Sequence, residues 1–198
     1  MLVSLAVLVS CGGKKEENKE TPKDSTKTEE VAVVKDFTYF NNLAKDLKIE
    51  GLELSSANAS SDTAAKWFYY GFTIKDGKDK GADKINVNCG DLTKVGNRSD
   101  FDVKTLAEYE TAQRKLVEKP GLTTSDFKEY KNGSETIYYY TVKGISDQMG
   151  GHKNYNQLYA TYIKNEMYFT IMVSVYDNTA ALDKAEGILK QVMEAITK

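Results

Sequence analysis

The sequence predicts an α+β domain in which an antiparallel β-sheet of about six or seven strands is flanked by helices, as an α/β/α sandwich. Three observations support this fold class. Short β-rich segments recur between turn residues, which is typical of antiparallel strands. A capped helical pattern over residues 105–118 interrupts these segments, and a longer amphipathic pattern ends the chain.

The first ten residues are an apolar run too short to span a bilayer, which needs roughly 20 such residues. A run of this length fits the hydrophobic region of a secretory signal peptide. Leu8, Val9 and Ser10 precede Cys11, and together they resemble the bacterial lipobox, in which the cysteine carries the lipid. The resemblance implies a signal peptide at residues 1–10 and a lipoprotein whose Cys11 bears acyl chains such as palmitate.

Residues 11–36 predict a disordered tether between this anchor and the domain. Residues 12–36 contain six lysines, seven acidic residues and no aromatic residue, so they cannot bury enough apolar area to offset the entropy of ordering. The segment just after Cys11 resembles the lysine-and-acid signal that routes some outer-membrane lipoproteins to the cell surface; a plain solvated linker is the alternative. That segment is Lys14, Lys15, Glu16 and Glu17.

Residues 37–198 are predicted to form a single globular α/β domain, which is large enough to bury a core without a disulfide or metal. A short helix at Phe37–Leu47 is expected to begin it. Three strands should follow as a hairpin or meander, at Ile49–Ser55, Trp67–Lys75 and Lys84–Gly90, separated by the polar stretch Ser55–Asp62 and the loop Asp76–Asp83.

The third of these strands contains the second cysteine. Cys89 alternates with Asn86 and Asn88 in the same register as Ile85 and Val87, so a strand places it on a buried face. If Cys11 carries lipid, Cys89 has no partner for a disulfide. It is therefore predicted to be a small core residue rather than a reactive thiol.

The middle of the chain predicts a helix and a hairpin. Thr105 and Glu108 have the spacing of a capping box, and Pro120–Gly121 ends the helical pattern. Asn132–Gly133 then predicts a tight turn between strands at Phe127–Lys131 and Glu135–Lys143.

A second hairpin and a terminal helix complete the domain. Strands at Tyr155–Ile163 and Met167–Tyr176 are expected to turn about Asn165–Glu166, and the second is apolar on both faces, which predicts a central position. Gly187 inside the terminal helix predicts a close approach of helix and sheet. The apolar face of that helix is Leu182, Ala185, Ile188, Leu189, Val192, Met193 and Ile196.

The order of elements, the capped helix that begins at Thr105 and the final hairpin leading into a terminal amphipathic helix resemble the Mog1/PsbP-like α/β/α sandwich. The resemblance is one of topology and covers residues 37–198. It implies an accessory or binding role without catalysis, and it transfers no functional residue because fold alone does not settle function.

Charge and motif content narrow the function classes. With 27 basic and 29 acidic side chains, the chain is not expected to bind nucleic acid, which favours a basic surplus. A single histidine cannot supply a multi-histidine metal site, and no metalloprotease, redox, P-loop or serine-hydrolase motif occurs. Asp76, Asp79 and Asp83 alternate with lysines and predict a solvated hairpin loop rather than a calcium site. No metal or cofactor is expected.

Candidate binding residues come from aromatic strands and one loop. Trp67–Tyr70 and Tyr138–Tyr140 place rings on both faces of their strands; most are expected in the core, and outward members could form a docking surface. His152 follows Gly150–Gly151 in a polar loop, where it is either an exposed histidine or part of a ligand-binding loop. Tyr138, Tyr140 and His152 are therefore the candidate ligand-binding residues.

The sequence thus predicts a non-catalytic lipoprotein, anchored to the outer membrane through its N-terminal lipid, whose domain binds an envelope protein or a small ligand. Surface exposure is left open. The alternatives are an envelope hydrolase with a carboxylate site, which needs convergent acids in a deep pocket, and a carrier of a hydrophobic ligand, which needs an apolar internal cavity.

Overall fold

The computed structural model of the chain describes residues 33–76, 83–96, 98, 101–117, 119–145, 155–176 and 179–198. Within them, Val34–Lys198 form one compact unit. Its helices are α1 (Phe37–Lys45), α2 (Leu106–Val117) and α3 (Thr179–Thr197). Its strands are β1 (Leu52–Ala59), β2 (Phe68–Ile74), β3 (Lys84–Asp91), β4 (Thr123–Asn132), β5 (Glu135–Ile145), β6 (Tyr155–Lys164) and β7 (Met167–Tyr176).

All seven strands belong to one antiparallel sheet in the order β1-β2-β3-β7-β6-β5-β4. The predicted fold class is therefore confirmed. Two meanders, β1 to β3 and β4 to β7, meet where β3 pairs with β7. The strand predicted to be central, β7, is the fourth of seven.

The alternation of side chains along each strand divides the molecule into layers. The main core lies between one face of the sheet and the helices α1 and α3, where every residue of the predicted apolar face of α3 is buried except the half-buried Leu182. A smaller core lies on the opposite face, between β4 to β6 and α2. In the described part of the chain, no helix is long and apolar enough to cross a membrane.

The predicted capping box fixes the start of α2. The Glu108 amide donates to Thr105 Oγ1 at 3.2 Å, while Glu108 Oε2 accepts from the amides of Thr105 at 3.2 Å and Lys104 at 2.8 Å. Three backbone donors at the helix start are therefore satisfied by two side chains.

Both hairpin turns form, one of them by a different residue pair from that expected. Asn165 and Glu166 have φ of 49° and 60°, as a type I′ turn requires. In the other hairpin, Asn132 pairs with Glu135, so the turn residues are Gly133 and Ser134. Of these two residues only Gly133 has a positive φ, at 60°. A positive φ at the first turn position alone is typical of a type II′ turn, which favours glycine there.

The first strand lies further along the chain than predicted. β1 covers most of the polar stretch that was expected to be a connection, and Glu53 to Asn58 are all exposed. It is an edge strand held by backbone pairing with β2. Leu52 and Leu54 alternate with Glu53, but the serines that follow give no apolar alternation from which the second half of the strand could be recognised.

Two further expectations are wrong. Asp83 is 4% exposed rather than solvated, and its carboxylate accepts from the Tyr176 amide at 2.9 Å; it ties the start of β3 to the end of β7. Gly187 lies on the exposed side of α3, and a Cβ added there would meet nothing within 4 Å. No close approach of helix and sheet occurs at Gly187.

Candidate functional site

The sheet face opposite α1 and α3 carries two groups of aromatic side chains, only one of which α2 covers. Under α2, the ring of Tyr109 stacks on Tyr138 at 5.4 Å between centroids and meets Tyr140 edge-on at 5.8 Å. Tyr140 also stacks on Phe127 at 5.0 Å and on Tyr159 at 5.7 Å. Helix α2 therefore packs on a layer of aromatic rings, which aliphatic side chains such as Val142 complete.

The two candidate tyrosines of β5 belong to this layer. Tyr140 is 2% exposed and donates to Gln113 Oε1 at 3.0 Å, which makes it part of the smaller core. Tyr138 is half-buried and donates to the carbonyl oxygen of Lys104 at 2.8 Å. Tyr138 thereby holds the segment that precedes α2 against the sheet.

A cavity of about 140 Å³ lies beside Tyr138, and we call it the tyrosine pocket. A cavity of roughly 150 Å³ holds a benzene-sized molecule, whereas pockets for drug-sized ligands span roughly 300–1,000 Å³. The pocket therefore suits a single ring and not an acyl chain. Its lining consists of Phe101, Val103, Tyr109, Tyr138 and Ile163, with the hydroxyl groups of Thr136 and Thr161.

The polar groups of the tyrosine pocket are neutral. Tyr109 Oη and Thr161 Oγ1 share a hydrogen bond of 3.2 Å. Burial raises the pKa of Tyr109, and this outweighs the opposing effect of Thr161. At neutral pH the phenol therefore keeps its proton, and the pocket offers hydrogen-bonding hydroxyls together with aromatic walls.

The second aromatic group lies over β2 and β3, beyond α2. Tyr69 is 39% exposed, and its hydroxyl donates to Oδ1 of the buried Asn86 at 2.9 Å. A Cβ added at Gly71 would overlap Ser56 Oγ and lie 3.4 Å from Tyr69 Oη. The side chain of Tyr69 therefore extends along its own strand towards Gly71. Its hydroxyl is held there by the hydrogen bond to Asn86.

The two groups meet at the segment between β3 and α2. Phe101 packs against Tyr168 at 5.1 Å between centroids. Tyr168 in turn lies over Gly90, where an added Cβ would overlap its ring. Phe101 also lines the tyrosine pocket, so this residue contacts both aromatic groups.

Two acids with a lowered pKa, Glu186 and Glu135, lie away from this face and hold the fold. Although burial raises it, hydrogen bonds from Lys128, Lys190 and Tyr139 lower the pKa of Glu186 to about 2. The pKa of Glu135 is lowered by a hydrogen bond from Lys164 and another from Tyr162. Among the described residues, no three potential metal-ligating side chains come together.

Three other sequence candidates have different outcomes. Cys89 is 5% exposed in the main core, where burial raises the pKa of its thiol to about 12, as expected of a core residue. His152 and Cys11 lie outside the described residues, so their predicted roles stay predictions.

Sequence reasoning identified Tyr138 but missed the rest of the pocket. Thr161 is its direct neighbour across β5 and β6, a relation that follows only from the strand order. Phe101 and Val103 belong to an irregular segment without periodicity. The signal for the second group was present: Asn86 and Asn88 were expected on the face of β3 that points away from the core.

No protein-family model matches the chain, and no curated protein matches it. Among solved structures, the chain is similar to cyanobacterial PsbP (CyanoP) from Synechocystis sp. PCC 6803, with 12% identity and a TM-score of 0.42 over 76% of this chain and 94% of that one. It is also similar to LpqN, involved in cell envelope biogenesis of Mycobacterium tuberculosis, with 15% identity and a TM-score of 0.40 over 72% of this chain and 77% of that one.

Proposed function

We propose that the chain is a non-catalytic binding protein of the cell envelope, held at the membrane by a lipid on Cys11, and that its domain binds through the tyrosine pocket. The pocket receives one ring-sized group. That group belongs either to a small free molecule or to a side chain of an envelope protein. The observation that carries the proposal is the 140 Å³ cavity, with its aromatic walls and two threonine hydroxyls.

The chemistry of the walls supports recognition. Burial raises the pKa of Tyr109, so its phenol stays protonated and offers a hydrogen-bonding hydroxyl and a ring contact rather than a base. Buried rings contribute apolar area and prefer offset or edge-on partners. An aromatic group with one hydroxyl matches these features.

The anchoring part of the proposal is supported by the run Leu8–Cys11 and by the polar composition of residues 12–36. Two or more acyl chains give stable membrane attachment, whereas one chain is marginal. Intact-mass analysis of the protein purified from membranes measures this directly: added acyl mass that is lost in Cys11→Ala supports the anchor, and an unmodified wild-type protein contradicts it.

The pocket is tested with phenol as the probe, followed by NMR of backbone amides in the full chain carrying Cys11→Ala. We expect shifts at Val103, Thr136 and Thr161 that saturate, and weaker binding of benzene, which lacks the hydroxyl. Val103→Phe fills the cavity and should abolish the response. Val34→Phe is the matched control, because Val34 is 75% exposed and outside the pocket.

A second arm distinguishes the two sources of the ring. If an envelope protein supplies it, cross-linking in native membranes yields one recurrent product with wild type and Val34→Phe but not with Val103→Phe. If a small molecule supplies it, native mass spectrometry shows a bound mass that Val103→Phe loses. Phenol binding that is equal in Val103→Phe and wild type would exclude the pocket as the binding site.

A further inference from the structure

We propose that the half of this sheet face that α2 does not cover holds a second binding site, built on the exposed ring of Tyr69, for a neutral sugar ring such as one unit of a glycan. This site is separate from the tyrosine pocket and does not depend on it. We call it the Tyr69 platform, and its members are Ser56, Asn58, Tyr69, Gly71, Asn86 and Asn88.

The ring at the centre of the platform is fixed although it is 39% exposed. Its hydroxyl is bound by Asn86, at 2.9 Å, on the adjacent strand. The end of the side chain lies beside Gly71, where an added Cβ would be in ordinary contact with Tyr69 Oη at 3.4 Å and would overlap Ser56 Oγ of β1. An exposed tyrosine normally loses rotamer freedom when a ligand binds, which costs free energy. The Tyr69 side chain is already held in one position, so this cost is small.

Amide side chains flank the ring on both sides. Asn58 of β1 and Asn88 of β3 are the direct cross-strand neighbours of Tyr69. Asn88 Nδ2 donates to Thr170 Oγ1 at 3.2 Å, and no hydrogen bond to its oxygen comes from the described residues. Each amide can both donate and accept, which is the capacity that a hydroxyl-rich ligand requires.

Asn86 adds a hydrogen-bond donor to the platform. Its side chain is 8% exposed, and its oxygen is used by Tyr69. Within the described residues, no hydrogen bond is made by its amide nitrogen. Since no buried side-chain nitrogen or oxygen among the described residues lacks a hydrogen-bond partner, this nitrogen reaches the surface, where a ligand hydroxyl could accept from it.

The charge around the platform indicates a neutral ligand. In the strand register, the first charged side chains on this face are Glu53 and Lys84, one on each side of Thr73. They have opposite sign and lie two residues beyond Gly71. Phosphate and carboxylate ligands are recognised by arginine, lysine or backbone donors, and none of the six platform members carries charge.

Ring and amides together select a sugar rather than a purely apolar ring. The flat face of a sugar ring can cover the exposed tyrosine face and bury apolar area. Its hydroxyls then satisfy the amides, which an apolar ligand would desolvate without replacement, at a cost of roughly 1–3 kcal/mol each. Trp67, 40% exposed and two residues from Tyr69, lies roughly 7 Å along the chain and offers a second ring for the next sugar unit.

The test uses the full chain with Cys11→Ala and three probes: cellobiose, maltose and the charged glucose 6-phosphate. We expect at least one disaccharide to shift the amides of β1, β2 and β3 in NMR titration. Glucose 6-phosphate should bind at least threefold more weakly than that disaccharide. Tyr69→Ala should weaken binding at least tenfold, and Tyr69→Phe, which keeps the ring but releases Asn86, by a smaller factor.

Tyr176→Ala is the matched control, because Tyr176 is 37% exposed on the same sheet and lies six residues beyond Thr170, whose strand position adjoins Asn88. It should bind like wild type. The proposal is overturned if neither disaccharide shifts β1 to β3, if Tyr69→Ala and Tyr69→Phe both bind like wild type, or if the charged sugar binds best. Val103→Phe should leave sugar binding unchanged. The phenol and sugar titrations therefore test the tyrosine pocket and the Tyr69 platform independently.

Discussion

Single carboxylates stabilise this fold through the partners that surround them, and Glu186 is the clearest case. It accepts from Lys128 Nζ at 2.8 Å and from Tyr139 Oη at 2.9 Å, and lies 3.0 Å from Lys190 Nζ. Glu186 thus joins α3 to β4 and β5 at the edge of the main core. These contacts lower its pKa from 4.5 to about 2, against the effect of burial.

Glu186→Gln should therefore lower stability in a pH-dependent way. A lowered folded-state pKa gives stability that is complete above about pH 4.5 and is lost as the pH falls towards 2. The wild-type advantage should be about 2 kcal/mol at pH 7, after allowance for solvent screening by the half-exposed lysines. Urea unfolding at pH 7, 5, 4 and 3 measures it; a difference that is constant with pH would contradict this assignment.

Gly90 is a second residue that determines local packing, because its lack of a side chain leaves room for the Tyr168 ring. The Tyr168 ring lies over it and is itself packed by Phe101. Gly90→Ala should cost about 1–3 kcal/mol, because the added methyl displaces a ring that has little room to move. Gly96→Ala, where the new Cβ meets nothing within 4 Å, is the control and should be close to neutral in thermal unfolding.

At the scale of elements, α3 contains a glycine that lowers its helix propensity and that alanine can replace. Gly187 is exposed, and a Cβ added there has open space. Gly187→Ala should raise the unfolding free energy by about 1 kcal/mol, the difference in helix propensity. Gly121→Ala provides the contrast, since Gly121 has φ 86° and alanine there is strained. A loss of stability in Gly187→Ala would show a contact that the structure does not contain.

Elements were predictable where a local rule determined them. The capping box, the Asn165–Glu166 turn and the apolar face of α3 all depend on residues within one turn or a few turns of each other. The second half of β1 was missed because an exposed edge strand is stabilised by backbone pairing, which requires no apolar pattern in its side chains. Gly187 was misinterpreted although the sequence indicates its side of the helix: its neighbours three and four residues away, Asp183, Lys184, Lys190 and Gln191, are all polar.

The candidate sites were less accessible to sequence reasoning than the fold. Tyr138 was identified, yet the pocket beside it requires Thr161 from the neighbouring strand and Phe101 from an irregular segment. The Tyr69 platform requires the register of three strands. Both sites bring together residues far apart in the chain, and their neighbours follow from the strand order alone.

At the scale of the whole molecule, the sheet joins its two meanders only through β3 and β7. The eight residue pairs along this seam include Ile85 with Val173 and Val87 with Ile171, all four of them fully buried. A seam of this kind should make both halves unfold together, as in most single domains of this size.

This cooperativity can be measured with two probes. Trp67, the single tryptophan, reports on β1 to β3 by fluorescence. The tyrosine layer under α2 reports on β4 to β6 by near-UV circular dichroism. We expect the same urea midpoint from both signals. Separate midpoints would show that the meanders are independent units and that the seam contributes little.

The same seam sets the order in which the protein can mature during synthesis. β3 is completed at residue 91, but its partner β7 begins at residue 167, so about 75 residues must emerge before the inner edge of the first meander is covered. Until then β3 presents unpaired backbone groups, a feature that promotes aggregation. A chain delivered through an export channel N-terminus first would reach the far side with this edge open, and it would need protection there until its last strand arrived.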